Sequence, residues 1–65
     1  MAKNSIIYQT IYGIGDIVEY DSDNFLVTEI VDGPYMATYK MLRIGTSIVH
    51  TWFAVDIDLN SRLVA

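Results

Sequence analysis

The chain has 65 residues, enough for one small domain, and it contains no cysteine. Disulfides and thiolate metal sites are therefore excluded, and we expect a cytoplasmic location. Apolar residues make up 52% of the chain, but charged residues interrupt every apolar run well short of the roughly 20 residues that a membrane-spanning helix needs. We therefore expect a soluble domain that does not cross a membrane.

The net charge is −4, from four basic and eight acidic residues. Every charged residue between Lys3 and Lys40 is acidic. Nucleic-acid binding depends on Lys and Arg contacts to phosphates, so this distribution argues against a nucleic-acid partner. Two interpretations of the acidic residues, including Asp21 and Asp23, stay open. They form either a solvated edge or a surface that binds a basic protein.

Short apolar blocks and many β-branched and aromatic residues predict an all-β fold. Turn signals separate the blocks at residues 13–15, 21–24, 32–34 and 45–46. The predicted strands, in chain order, are residues 5–12, 16–20, 25–31, 35–44, 47–55 and 62–65, with a 3₁₀ turn at 56–61 before the last strand.

The hairpin around Gly45-Thr46 predicts a register, because glycine in the first position of a two-residue loop is typical of a type II′ turn. In that register, alternate pairs fall on opposite faces of the hairpin. One face carries the predicted pairs Ile44–Ser47, Leu42–Val49, Lys40–Thr51, Thr38–Phe53 and Met36–Val55. The other face carries Arg43–Ile48, Met41–His50, Tyr39–Trp52, Ala37–Ala54 and Tyr35–Asp56.

Both faces of this hairpin carry large apolar side chains, so each face needs a cover. We predict that the aliphatic face is interior; it comprises Met36, Leu42, Val49, Phe53 and Val55. The other face is predicted to bind a partner, since Met and aromatic residues with polar tips are enriched at interfaces. It comprises Tyr35, Tyr39, Met41, His50 and Trp52. Alternatively, a strongly bent strand places Trp52 in the core.

An apolar extension at residues 1–12 precedes the domain predicted at residues 13–65. Its Ile7, Tyr8, Ile11 and Tyr12 are too apolar to remain exposed together. We expect the extension to be ordered, either as an additional strand or packed across a subunit boundary. Because a small domain also gains stability by oligomerising, a homo-oligomer is expected.

Three segments carry a resemblance to a known architecture. These are Gly15-Asp16-Ile17-Val18, the strand Phe25-Leu26-Val27-Thr28-Glu29-Ile30, and the turn and strand Leu59-Asn60-Ser61-Arg62-Leu63-Val64. Together they resemble SH3-like small β-barrels, with an opening similar to KOW and Tudor-type modules and to small uncharacterised bacterial and phage proteins. The resemblance implies a five-stranded barrel and binding rather than catalysis. The proline-peptide motif of SH3 domains is missing, whereas Tyr39 and Trp52 could form two walls of a Tudor-like aromatic cage.

No catalytic or metal-binding pattern is present, and we expect neither an enzyme nor a cofactor. His50 is the only histidine, and no carboxylates are spaced to join it as metal ligands. The leading hypothesis is a non-catalytic protein-binding module, an accessory or inhibitory protein of a phage or bacterium, that uses the aromatic face and the acidic edge. One alternative is an acidic mimic of nucleic acid that blocks a basic site on a host protein. The other is a nucleic-acid binder that stacks bases on Tyr35, Tyr39 and Trp52, with Lys40 and Arg43 alongside.

Overall fold

A computed structural model of the protein describes residues 10–65. The elements are β1 (Ile17–Tyr20), β2 (Asp23–Asp32), β3 (Ala37–Arg43), β4 (Val49–Phe53), α1 (Ala54–Asn60) and β5 (Ser61–Leu63). The strands form one antiparallel sheet in the order β4-β3-β2-β1-β5. This supports the predicted all-β class. Within residues 10–65 no ladder joins β4 to β5, so the sheet is not closed.

The β1–β2 hairpin is tighter than the predicted turn over residues 21–24. Tyr20 pairs with Asp23, so only Asp21 and Ser22 form the loop. Their φ angles are 53° and 68°. Positive φ at both central residues is the geometry of a type I′ turn, whose twist matches that of the flanking strands. Asp23 and Asn24 therefore belong to β2 rather than to the turn.

The β3–β4 hairpin has the predicted register, and the five pairs of its ladder are all among those predicted. The pairs predicted beyond Phe53, such as Met36 with Val55, do not form, because β4 ends there and α1 begins. Its turn is wider than the two residues expected. The amide of Thr46 donates to the carbonyl of Arg43 at 3.1 Å, and Gly45, with φ +90°, is the third residue of that turn. The Thr46 hydroxyl also donates to this carbonyl and accepts from the amide of Ile48. These side-chain bonds stabilise the longer loop without changing the register.

The two faces of this hairpin have the opposite roles from those predicted. Tyr39 and Met41 are fully buried, whereas Val49 and Phe53 are more than half exposed. The prediction of an aliphatic interior face is therefore wrong. The buried core consists of Tyr12, Val18, Phe25, Val27, Ala37, Tyr39, Met41, Ala54 and Ile57, with Tyr20, Ile30 and Trp52 packed against it.

Helix α1 is one reason for this reversal. It occupies part of the segment predicted as a 3₁₀ turn, and it begins early enough to end β4 at Phe53. Ala54 and Ile57, three residues apart, share one side of the helix and are fully buried. The helix covers the sheet face that carries Tyr39, so the aromatic face becomes the core. No helical segment among residues 10–65 has the length and apolar character needed to cross a membrane.

Strand β2 bends at a bulge between Val27 and Glu29, which leaves Thr28 without a partner in the ladder. The Thr28 hydroxyl donates instead to the carbonyl of Lys40 at 3.0 Å. The extra residue changes which positions face the core, from Val27 before the bulge to Ile30 after it. The strong bend considered for β4 is therefore found in β2.

Of the predicted N-terminal extension, Ile7 and Tyr8 lie outside the described residues. Ile11 is described, and 64% of its surface is exposed within the chain. Tyr12 instead packs in the core of its own chain, where its amide donates to the Tyr39 hydroxyl and its own hydroxyl bonds Ser61. Its side chain is therefore not available to a second subunit.

Candidate functional site

Four rings pack together on the concave side of the sheet: Tyr20 of β1, Phe25 of β2, and His50 and Trp52 of β4. Trp52 is central, with ring centroids 5.2 Å from Tyr20 and 5.1 Å from Phe25. His50 lies parallel to Trp52 at 4.6 Å. Because β4 and β1 are separated by two strands, these contacts require a strongly curled sheet.

The rings line a small cleft next to the β1–β2 turn. We call it the aromatic cleft; it is lined by Tyr20, Asp21, Asp23, Phe25, Arg43, His50 and Trp52. Its volume is about 140 Å³. Sites for drug-sized ligands and cofactors usually measure about 300–1,000 Å³. The aromatic cleft is therefore of a size for one side chain rather than for a cofactor.

The rim of the aromatic cleft is acidic. Asp23 pairs with Arg43 at 2.9 Å, whereas Asp21 has no ion pair with any described residue. The Tyr20 hydroxyl donates to Asp56 at 3.0 Å, and this bond is the main cause of the raised pKa of Tyr20. The negative charge of Asp21 raises that pKa further. The carboxylates of Asp56 and Asp21 thus both act on the Tyr20 hydroxyl. Of Asp21, Asp23 and Asp56, only Asp23 forms an ion pair with a described base.

A wider polar depression lies on the other side of Asp21. It has a volume of about 380 Å³ and is lined by Glu19, Asp21, Ser22, Asn60, Ser61 and Arg62. Arg62 pairs with Glu19 across it. Asp21 therefore projects from the turn between two depressions, one aromatic and one polar.

The structure brings together four of the residues predicted from the sequence to bind a partner: Asp21, Asp23, His50 and Trp52. It separates the other three from them. Tyr39 and Met41 are fully buried, so neither can contact a partner, and Tyr39 cannot form a wall of an aromatic cage. Tyr35 is 93% exposed in the β2–β3 connection and does not line the aromatic cleft. Trp52 is half-buried against the core, in partial agreement with the alternative of a core tryptophan.

Sequence reasoning missed Tyr20 and Phe25, and it named Arg43 only as a base of the alternative nucleic-acid site. The missing information was the length of the β1–β2 turn. A two-residue turn at Asp21-Ser22 pairs Val18 with Phe25, which places Phe25 on the same face as Tyr20. The pair Asp21-Ser22 after a β-rich block was the one signal for a two-residue turn, because Asp adopts the left-handed conformation more readily than most residues.

Ion pairs account for all three basic side chains that the structure describes. Lys40 pairs with Glu29 at 3.5 Å, Arg43 with Asp23, and Arg62 with Glu19. The same part of the chain contains no group of three or more side chains able to hold a metal ion. The described surface therefore offers unpaired carboxylates but no unpaired base.

Comparison of the chain with protein-family models, curated proteins and solved structures finds no significant match.

Proposed function

We propose that this chain is a non-catalytic protein-binding module whose aromatic cleft holds a basic side chain of a partner. The observation that carries the proposal is the position of Asp21, an unpaired carboxylate on the rim of a cleft lined by the Tyr20 and Trp52 rings. A guanidinium or ammonium group is attracted both to a carboxylate and to the face of an aromatic ring. The cleft offers both attractions within the reach of one side chain.

The ring geometry favours arginine over a methylated lysine. With centroids about 5 Å apart, the rings around Trp52 contact one another and leave no gap between them for a trimethylammonium group. One face of Trp52 is already covered by His50. A planar guanidinium can lie against the open side of such a cluster and still reach a rim carboxylate. We therefore propose a cleft that binds on its open side, not a cage.

The chemistry of the lining supports binding rather than catalysis. The lining residues include no serine, threonine, cysteine or lysine, so the cleft lacks the nucleophiles of those side chains, and the Asp23 carboxylate is paired with Arg43. The one histidine is stacked on Trp52. The size of the cleft, suited to one side chain, also fits recognition of a residue within a partner segment.

The fold proposal is an open variant of the SH3-like barrel. Its support is the strand order, with β5 beside β1 and β4 at the far edge, and the single helix between β4 and β5. Strand β2 pairs with β1 on one side and with β3 on the other, and a bulge such as that in β2 bends a strand, as a barrel-like fold needs. The resemblance to this architecture implies binding of peptides, proteins or nucleic acids rather than catalysis, in keeping with the proposed role.

The two alternative functions have less support. An acidic mimic of nucleic acid needs a row of free carboxylates, yet Glu19, Asp23 and Glu29 are each paired with a base. A nucleic-acid binder needs free bases and exposed aromatic rings. The three described bases are paired, and Tyr39, one of the proposed stacking residues, is buried.

The test is a titration of the labelled protein with N-acetyl-arginine amide, followed by amide and indole NMR shifts. We expect saturable shifts centred on Trp52 and Asp21. The uncharged analogue N-acetyl-citrulline amide should bind several-fold more weakly, since it has the shape of arginine without the charge. Asp21→Asn should weaken arginine binding several-fold as well.

Asp32→Asn is the matched control, because it removes one carboxylate at the far end of β2, away from the aromatic cleft. It should leave binding unchanged. Equal losses in the two variants would mean that the ligand responds only to net charge. That result, or equal binding of arginine and citrulline, would refute the proposed site.

A further inference from the structure

Among residues 10–65, β4 is an edge strand of the sheet, and its one ladder is with β3. The amide of Arg43 donates to the carbonyl of Ile48 at 2.9 Å, so Ile48 directs its backbone toward β3. In an antiparallel ladder, successive residues direct their backbone groups to opposite sides. His50 and Trp52 therefore also face β3. The backbone groups of Val49, Thr51 and Phe53 point away from the sheet.

This edge lacks the features that normally prevent pairing with another strand. Natural sheet edges are protected by charged residues, proline or bulges. The segment 44–55 contains no Asp, Glu, Lys, Arg or Pro. The β3–β4 register runs without a shift from Thr38–Phe53 to Leu42–Val49. Among the side chains beside the edge, Val49 is 54% and Phe53 57% exposed.

We propose that this edge binds a second copy of the chain, by antiparallel β4–β4 pairing with Thr51 on the two-fold axis. In this register Val49 lies opposite the partner's Phe53, and His50 opposite the partner's Trp52. Val49, Thr51 and Phe53, whose backbone groups point outward, then lie opposite one another, so their amides and carbonyls can form the ladder. The proposal is independent of the ligand assigned to the aromatic cleft.

The sequence of β4 is complementary to itself in this arrangement. The cross-strand pairs are Val with Phe, Thr with Thr, and His with Trp, and no like charges face one another. Phe53 is the N-cap of α1, so its carbonyl accepts within the helix. About four hydrogen bonds remain available between the Val49 carbonyls, the Phe53 amides and both groups of Thr51.

The outer face of the sheet gives a second reason to favour a copy of the same chain. Ile17, Leu26, Leu42 and Val49 are successive cross-strand neighbours, forming an apolar row over four strands that ends at the β4 edge. Pairing two edges about a two-fold axis joins two surfaces of the same apolar character in one continuous sheet. At the new ladder, Val49 and the partner's Phe53 lie side by side and shield part of each other's exposed apolar surface, which favours the dimer of so small a chain.

The experiment uses opposite charges at the axis. Multi-angle light scattering from micromolar to millimolar concentrations should show the wild type approaching twice its 7.4 kDa mass. Thr51→Lys and Thr51→Glu should each be monomeric, because two like charges then meet at the axis. An equimolar mixture of the two variants should return to the dimer mass. Ser47→Lys and Ser47→Glu place the same charges in the exposed β3–β4 loop and should behave like the wild type.

A wild type that stays monomeric throughout would overturn the proposal, as would dimers of either Thr51 variant or a mixture that remains monomeric. Circular dichroism establishes that each variant is folded. Hydrogen exchange on the wild type supplies a readout that needs no substitution. The Thr51 amide should exchange freely in dilute solution and become protected as the concentration rises, whereas unchanged exchange would contradict β4 pairing.

Discussion

Replacement of Tyr39 by phenylalanine tests the central polar contact of the core. The Tyr39 hydroxyl donates to Asp58 at 2.7 Å and accepts from the amide of Tyr12 at 3.1 Å. Its side chain is fully buried. Tyr39→Phe keeps the ring and its contact with Tyr12, whose centroid lies 6.0 Å away, and removes only the oxygen. The variant therefore isolates the hydrogen bonds from the packing.

We expect this substitution to lower the free energy of unfolding by about 3 kcal/mol. A hydrogen bond to a charged group contributes roughly 1.5–3 kcal/mol, and leaving the buried Tyr12 amide without its acceptor costs roughly 1–3 kcal/mol. A domain of this size has a total stability of about 3–10 kcal/mol. The melting temperature should accordingly fall by about 12–24 °C.

The same hydroxyl predicts a loss of stability at alkaline pH. Burial, together with the Asp58 hydrogen bond and charge, raises the pKa of Tyr39 from 10.0 to about 12. The fold thus favours the neutral phenol, and this contribution is fully present below pH 10. It is lost as the pH rises from 10 to about 12, and amounts to about 2–3 kcal/mol. Tyr39→Phe should lack this part of the alkaline loss.

The assay is unfolding followed by circular dichroism, at neutral pH and across the alkaline range. Tyr35→Phe is the control, because Tyr35 is 93% exposed and should melt with the wild type. The raised pKa of Tyr20 contributes to alkaline loss in every variant, so the quantity to compare is the difference from wild type. A Tyr39→Phe protein as stable as the wild type, with the same alkaline profile, would refute the reasoning.

Two further substitutions test the placement of the core and the strain of a turn. Met41→Ala should lower the free energy of unfolding in urea by about 2–5 kcal/mol, because Met41 is fully buried. Phe53→Ala should lower it by under about 1 kcal/mol in dilute solution, because Phe53 is 57% exposed. The reverse order would restore the face assignment predicted from the sequence. Ser22→Gly should stabilise the domain by about 0.5–1 kcal/mol, since Ser22 has a φ of 68° that glycine adopts without strain, and a lower melting temperature would contradict the type I′ turn.

Local signals in the sequence were sufficient for the strand content and for one register. β-branched and aromatic blocks predicted all five strands that the structure describes, each end to within two residues, because strand preference depends mainly on side-chain type and alternation. The β3–β4 register was correct although the loop is longer than predicted. The predicted loop at 45–46 and the observed loop at 44–47 have the same centre, so both pair Met41 with His50. The helix at Ala54–Asn60 was missed because a helix of two turns has too few residues to show a period.

The aromatic cleft could be predicted only in part. Asp21 and Asp23 stood out because they belong to a purely acidic stretch that suits a basic partner. His50 and Trp52 stood out because aromatic residues with polar tips are enriched at interfaces. Their convergence with Tyr20 depends on the curl of the sheet. The sequence of β2 contains no short pattern that predicts its bulge, and bulges add bend and twist to a strand.

The choice of interior face was beyond the reach of local patterns and was decided by the tertiary structure. Both faces of the β3–β4 hairpin are apolar, so alternation alone cannot say which one is covered. The decision comes from contacts distant in sequence: Ile57 packs over the sheet, Asp58 accepts from Tyr39, and Tyr12 reaches across to the same hydroxyl. Those contacts satisfy the polar tip of Tyr39 inside the core, which is the physical reason that the aromatic face is buried while Val49 and Phe53 remain at the surface.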